Sequence, residues 1–186
     1  MNSRDAILAA AVRRLNTDPR ASMADLAAAA GVGRATLHRY FSTRDELLHE
    51  LGTRSMDRWE QSMLAAGLDE AVGSGDAARI EACIRDVLSR YLADYDEFGF
   101  ALTDPYLRSA PDLVARTEIL ADRETVLLAA GQRAGLLRSD VPATWLSSAV
   151  YGLLVAGRDA IDLGKVARRD LDHYLITTFL EGARAR

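Results

Sequence analysis

The sequence lacks several features that would point to other classes of protein. It contains one cysteine, Cys83, so an intrachain disulfide is excluded and a reducing compartment is expected. No apolar run approaches the ~18 residues of a membrane span, and the first residues lack the apolar segment of a signal peptide. Only four prolines interrupt the 186 residues. We therefore expect a cytoplasmic protein without a membrane partner, long enough to bury its own core.

Signals of an enzyme are also missing. The three histidines, His38, His49 and His173, do not lie at metal-ligand spacing, and neither HExxH nor GxSxG occurs. The sequence Gly73-Ser74-Gly75 is not followed by the lysine of a P-loop. We expect no catalytic residues, no metal and no cofactor.

The charge of the chain is unevenly distributed. The net charge is −4, but residues 1–50 carry seven arginines against six acidic residues, and the acidic excess lies in residues 51–186. Contact with phosphates depends on a local patch of charge rather than on the whole-chain balance. The composition is therefore compatible with a nucleic-acid site near the N-terminus.

Hydrophobic spacing predicts an all-α fold. Apolar residues recur every three and four positions, and no segment alternates as a strand would. The predicted helices cover about residues 4–15, 22–30, 34–41, 43–67, 77–94, 102–109, 111–134, 140–163 and 169–183. The glycine-rich segment 72–76 is predicted to be a loop, and the aromatic-rich segment 95–100 a break between helices.

The most informative segment covers residues 22–51. Two short predicted helices are joined by Gly31-Val32-Gly33, which is the turn length of a helix-turn-helix. Leu37 and Phe41 lie four residues apart and are predicted to face inward. The face that remains offers cations, hydroxyls and small apolar groups, which suit phosphates and base edges. Its residues are Arg34, Ala35, Thr36, His38, Arg39 and Tyr40.

This segment resembles the DNA-binding domain of TetR-family regulators. That family shows T-x-x-x-I-A-x-x-A-G-V, then a short helix ending in L-Y-x-Y/H-F, then K-x-K-E-x-L. Here the corresponding segments are residues 22–32, 36–41 and 42–47, and the likeness extends over about residues 4–52. His38 replaces a common tyrosine and Ser42 a common lysine, which weakens the expected phosphate contacts.

The resemblance implies a role for each matching residue. Ser22, Tyr40 and Arg44 are expected to meet DNA phosphates, and Arg34 and Arg39 to read bases. The residues expected to line the major groove are Gly33, Arg34, Ala35, Thr36, His38 and Arg39. The predicted architecture is a helix-turn-helix domain over 1–50 and a helical effector-binding and dimerisation domain over 51–186.

For the C-terminal part, the resemblance implies a bundle whose last two helices pair with those of a second copy. The predicted helix at 140–163 is apolar on more than one face, although an intrachain core would also explain this. Aromatic and soft residues in this part are candidates for an effector site, with plain core as the alternative. They are Trp59, Met63, Phe98, Phe100, Tyr106 and Tyr151, with Arg108, Arg123, Glu124, Arg158 and Asp159 as polar candidates.

The sequence therefore predicts a bacterial transcriptional regulator. We expect a repressor that binds double-stranded, palindromic operator DNA as a homodimer and is released by a small, largely apolar effector. An activator is the other possibility, because the two differ mainly in where the operator lies. The helix over 43–67 would connect the two functions, because it begins at a DNA contact and ends among candidate effector residues. The alternative is a dimeric helical protein that binds a small molecule or a partner without binding DNA.

Overall fold

The computed structural model describes residues 4–185, and this part of the chain is helical. Nine α-helices and one short 3-10 helix follow one another, and the described residues contain no strand beyond an isolated bridge. The helices are α1 Arg4–Thr17, α2 Met23–Ala29, α3 Arg34–Tyr40, α4 Arg44–Ala65, α5 Leu68–Ser74, α6 Ala77–Phe98, α7 Pro111–Arg133, α8 Ala143–Asp162 and α9 Arg168–Ala183. The all-α prediction is confirmed.

Helix α5 was not predicted, because glycines in the segment suggested a continuous loop. The helix begins directly after Gly67, whose φ of 69° ends α4, and it stops before Gly75, whose φ is 62°. Leu68 and Ala71 are buried and give the short helix an apolar face. Packing of these two residues offsets the low helix propensity of a seven-residue segment.

The prediction of a helix over 102–109 is wrong. Helix α6 continues to Phe98, and only Gly99–Leu102 form a 3-10 helix. After that turn, the buried carboxylate of Asp104 accepts hydrogen bonds from the backbone N–H of Tyr106 at 2.9 Å and of Leu107 at 3.3 Å. A side chain that takes up backbone donors in this way competes with helix formation.

The chain forms two compact units, and each unit combines two separate stretches of the sequence. The N-terminal unit comprises the described residues up to Asp57 together with Asp96–Arg116. Asn16 at the end of α1 joins them, since its amide donates to Glu97 O at 2.8 Å and accepts from Phe100 N at 2.9 Å. The predicted boundary at residue 50 therefore differs from the packing, because the segment 96–116 returns to the first core.

The core of the N-terminal unit is built from α1 to α4 and the returning segment. Gly52 on α4 lets two leucines approach, since a Cβ there would lie 2.6 Å from Leu107 and 2.9 Å from Leu113. The largest fully buried side chains of this core are Phe41, Phe100, Ile7, Leu8, Leu15, Leu26, Leu37, Leu47, Leu48 and Leu51. This core fixes the orientation of α2 and α3.

The C-terminal unit comprises Arg58–Tyr95 and the described residues from Thr117 onward. Helices α8 and α9 approach closely at Gly157, where a Cβ would lie 2.8 Å from a methyl of Leu171. Apolar residues of α6 to α9 fill the interior of the unit, among them Ile84, Val87, Leu88, Leu120, Leu127, Leu146, Val150, Leu175 and Phe179. Burial of these side chains is the main source of its stability.

Candidate functional site

The turn between α2 and α3 has the backbone geometry that its sequence predicts. Ser22 caps α2 reciprocally: its hydroxyl accepts from Asp25 N at 3.3 Å, and Asp25 accepts from Ser22 N at 2.9 Å. Hydrogen bonds from Ser22 hold the pKa of Asp25 below its ordinary value. Gly31 adopts a φ of 65°, and Val32 N donates to Ala27 O at 3.0 Å. These contacts hold α3 at a defined angle to α2.

The inner and outer faces of α3 are separated as predicted. Leu37 on α3 and Phe41 directly after it are fully buried in the N-terminal core. Thr36 and Tyr40 are half-buried, so each presents only part of its side chain. The remaining predicted groove residues are exposed, namely Gly33, Arg34, Ala35, His38 and Arg39. The structure therefore brings the predicted base-reading residues together on one accessible surface, which we call the α3 face.

The α3 face carries two exposed arginines, and the positive charge of Arg34 helps to lower the pKa of the nearby Asp25. Within the described residues, neither Arg34 nor Arg39 forms an ion pair. The guanidinium of Arg39 lies 5.6 Å from the ring centre of Tyr40, and His38 Nδ1 lies 3.3 Å from Ser42 O. Both arginines consequently have donors available for phosphate or for a guanine edge.

Arg44, a predicted phosphate contact, is partly engaged within the protein. Its Nη2 donates to Pro19 O at 2.7 Å and its Nε to Ala21 O at 3.2 Å. These two carbonyls belong to the segment that leads into Ser22, so Arg44 positions the start of α2. Sequence reasoning missed this role, because it depends on a contact between residues more than twenty positions apart.

The helix that begins at Arg44 is capped by two neighbouring residues. Thr43 Oγ1 accepts from Glu46 N at 3.0 Å, which is half of a capping box. The carboxylate of Glu46 accepts from Ser42 N at 2.7 Å, whereas in a complete capping box it would accept from Thr43 N. Helix α4 thus starts rigidly at the edge of the α3 face.

The six predicted effector residues belong to two different units. Phe100 is fully buried in the core of the N-terminal unit, and Phe98 and Tyr106 are half-buried and pack against that core. Trp59, Met63 and Tyr151 belong to the C-terminal unit. Met63 is fully buried and Tyr151 is 42% exposed. The six side chains therefore do not form one site within either unit.

A polar cluster inside the C-terminal unit was only partly anticipated from the sequence. Glu124 on α7 is 4% exposed, and burial raises the pKa of its carboxyl to about 7, while the neighbouring hydroxyls of Ser147 on α8 and Tyr91 on α6 act to lower it. The ring of Tyr91 meets that of Trp59 on α4 edge-to-face, with centres 6.2 Å apart. Tyr91 and Ser147 were missed because a single polar group on an apolar helix face does not reveal its partner.

A groove of about 500 Å³ lies in the N-terminal unit. Its charged walls are already paired, since Arg54 bonds to Asp5 at 2.7 Å and to Glu50 at 3.1 Å, and Arg4 also pairs with Glu50. This lining differs from the largely apolar pocket expected for an effector. No group of side chains among residues 4–185 has the composition of a metal site, and no described helix could span a membrane.

Comparison with known proteins supports the DNA-binding reading of the first helices. Residues 7–51 match the family described as bacterial regulatory proteins, tetR family. The transcriptional repressor LfrR of Mycolicibacterium smegmatis is 29% identical, with 97% of this chain and 89% of the relative aligned. The transcriptional regulator NfxB of Pseudomonas aeruginosa is also 29% identical, over 89% of this chain and 86% of its own length.

A solved structure extends the likeness to the whole chain. The crystal structure of LfrR in complex with proflavine aligns with a TM-score of 0.75 and 28% identity, covering 98% of this chain and 97% of the other. Both compact units therefore have counterparts in a protein whose bound ligand is known.

Proposed function

Because the chain is a member of the TetR family of bacterial regulatory proteins, we propose that it represses transcription by binding a palindromic operator as a dimer. A small-molecule effector bound by the C-terminal unit releases it from DNA. Binding to chromosomal DNA implies a cytoplasmic location. The observation that carries the proposal is the exposed pair Arg34 and Arg39 on the α3 face, neither of which forms an ion pair among the described residues.

We assign base reading to α3 and phosphate contact to its borders. Arg34 and Arg39 are proposed to donate to guanine edges, each discriminating by about 1–3 kcal/mol. The hydroxyls of Ser22 and Tyr40 are proposed phosphate contacts, and Arg44 adds one through guanidinium donors not used by Pro19 and Ala21. Phosphate contacts would supply affinity and register, whereas the arginines would supply sequence preference.

The proposed dimer forms through α8 and α9. Trp145 on α8 is 63% exposed and Tyr174 on α9 is 50% exposed, so a second copy packed on these helices would bury two large side chains. A two-fold pair of chains would present two α3 faces to half-sites about 34–36 Å apart or a longer multiple. This geometry predicts a palindromic operator.

The effector is proposed to be small, largely apolar and aromatic, since the relative LfrR has been solved with proflavine. Trp59, Met63 and Tyr151 remain proposed effector residues, whereas Phe98, Phe100 and Tyr106 support the core beneath the DNA-binding helices. Helix α4 begins in the N-terminal unit and ends in the C-terminal unit. An effector that prefers one position of α4 would change operator affinity by its differential binding to the two states.

The test is selection of bound duplexes from a random library by the full-length protein at two salt concentrations. We expect a palindromic consensus, weaker binding at the higher salt, and relaxed preference at one base position for Arg39→Ala. The matched control is Arg133→Ala, which removes an exposed arginine from α7. If nothing is enriched, even with a metabolite extract present, the chain is instead a helical binding protein that does not recognise DNA.

A further inference from the structure

His38 on the α3 face is held in one tautomer by the backbone. Its Nδ1 lies 3.3 Å from the carbonyl oxygen of Ser42, which follows the end of α3. A carbonyl oxygen can only accept a hydrogen bond, so Nδ1 carries a proton and donates it to that bond. In the neutral ring the other nitrogen, Nε2, therefore has no proton and is an acceptor.

The Nε2 atom of His38 is left for a partner outside the protein. The side chain is exposed, and among the described residues it forms no ion pair. His49 differs in this respect, because its Nε2 lies 2.7 Å from a carboxylate oxygen of Asp112. Arg34 stands one turn before His38 on the same outer side of α3, so both side chains can reach the same groove.

The imidazole is bordered by charges of both signs. On α3, Arg34 lies one turn earlier and Arg39 is the next residue. On α4, the carboxylate of Glu46 accepts a hydrogen bond from Ser42 N at 2.7 Å, and on α2 the acid Asp25 is bonded to its own helix cap. Since neither acid bonds to the ring, the second proton of the histidine exchanges with solvent, as histidine does between about pH 5 and 8.

The arginines of the α3 face cannot perform the role that Nε2 can. Arg34 and Arg39 only donate, because a guanidinium has no acceptor. In the major groove, adenine and cytosine present an amino donor, whereas guanine and the phosphates present acceptors alone. A neutral His38 can therefore bond to adenine or cytosine but not to guanine or phosphate, and a proton on Nε2 reverses this choice.

We propose that His38 is a proton-dependent specificity residue, which accepts from adenine or cytosine when neutral and donates to guanine or phosphate when protonated. The proposal rests on the proposed function and adds a regulation of the same site by pH. One proton passes from solvent to Nε2, while Nδ1 keeps its bond to the Ser42 carbonyl. Acidification therefore changes which operator sequences the chain prefers.

The experiment selects bound duplexes from a random library with the full-length protein at pH 6 and at pH 8. At pH 8, one position of each half-site should favour adenine or cytosine by roughly tenfold, and at pH 6 this preference should disappear or pass to guanine. His38→Phe, which lacks both nitrogens, should lose the preference at pH 8. His38→Lys, which carries a donor at both pH values, should show the pH 6 pattern at each.

The matched control is His173→Gln, which removes an exposed histidine from α9 and should leave both patterns unchanged. Any pH effect that persists in His38→Lys belongs to other groups. The same base preference at both pH values in the unmodified chain, or a preference that His38→Phe retains, would overturn the role of His38 while DNA binding stands. No consensus at either pH would overturn the DNA-binding function, and this role with it.

Discussion

Glu124 couples the stability of the whole chain to pH. An unfolded glutamate has an ordinary pKa of 4.5, whereas burial in the native state raises it to about 7. Between these values the native state retains a proton that the unfolded state has lost. The free energy of unfolding should therefore fall as pH rises through this window, by at most about 1.4 kcal/mol per pH unit from this residue.

The corresponding prediction concerns Glu124→Gln without any effector. The amide cannot ionise, so the variant should gain stability relative to the original chain at pH 8 and gain much less at pH 5. Urea unfolding at the two pH values measures the difference, and Glu118→Gln serves as the exposed control. A gain of the same size at both pH values would contradict the assigned cause.

Among single elements, the turn before α3 depends most strongly on one backbone conformation. Gly31 has a φ of 65°, a region that costs an L-residue roughly 1–2 kcal/mol, and Gly33 has an ordinary φ of −71°. Gly31→Ala should therefore lower the free energy of unfolding by about 1 kcal/mol. Gly33→Ala loses a favoured N-cap residue but also lowers the chain entropy of the unfolded state, so the two effects should offset to less than about 0.5 kcal/mol. Thermal unfolding distinguishes them; equal losses would mean that packing, not φ, governs the turn.

Helix α4 depends on a close approach rather than on its intrinsic propensity. A methyl at Gly52 would lie 2.6 Å from Leu107 and 2.9 Å from Leu113, both buried. Overpacking costs typically about 1–3 kcal/mol, more than the gain of about 1 kcal/mol from replacing a helical glycine. Gly52→Ala should be destabilising in denaturant titrations. Gly73→Ala in α5 should not be destabilising, because nothing lies within 4 Å of a Cβ at that position. An increase in stability for Gly52→Ala would show that Leu107 and Leu113 move aside at little cost.

At the scale of the whole molecule, the choice of dimer face can be tested by charge insertion. Tyr174 on α9 is 50% exposed and Ile119 on α7 is 63% exposed. If α8 and α9 form the interface, Tyr174→Glu should shift the protein toward monomer in sedimentation velocity and reduce operator affinity, because one half-site contact is weak alone. Ile119→Glu should leave both unchanged. A shift toward monomer for Ile119→Glu, with none for Tyr174→Glu, would place the interface on α7 instead.

How much could be predicted from the sequence depends on the range of the interactions involved. The α3 face was predictable because its determinants, Ser22, Gly31, Leu37 and Phe41, lie within about twenty residues and act through local geometry. The effector residues remain a prediction. An aromatic residue on a helix, such as Phe100, gives no local sign of whether it lines a pocket or fills a core.

The sequence by itself determined the all-α class, the helix-turn-helix pattern and the likeness to the TetR family, since helical periodicity, capping and turn chemistry are encoded in neighbouring residues. Only the tertiary structure decided that residues 96–116 pack into the first core, that Asp104 replaces a predicted helix with turns, and that Glu124 is buried beside Tyr91. Each of these depends on contacts between distant segments or on how completely water is excluded. A local pattern carries neither quantity.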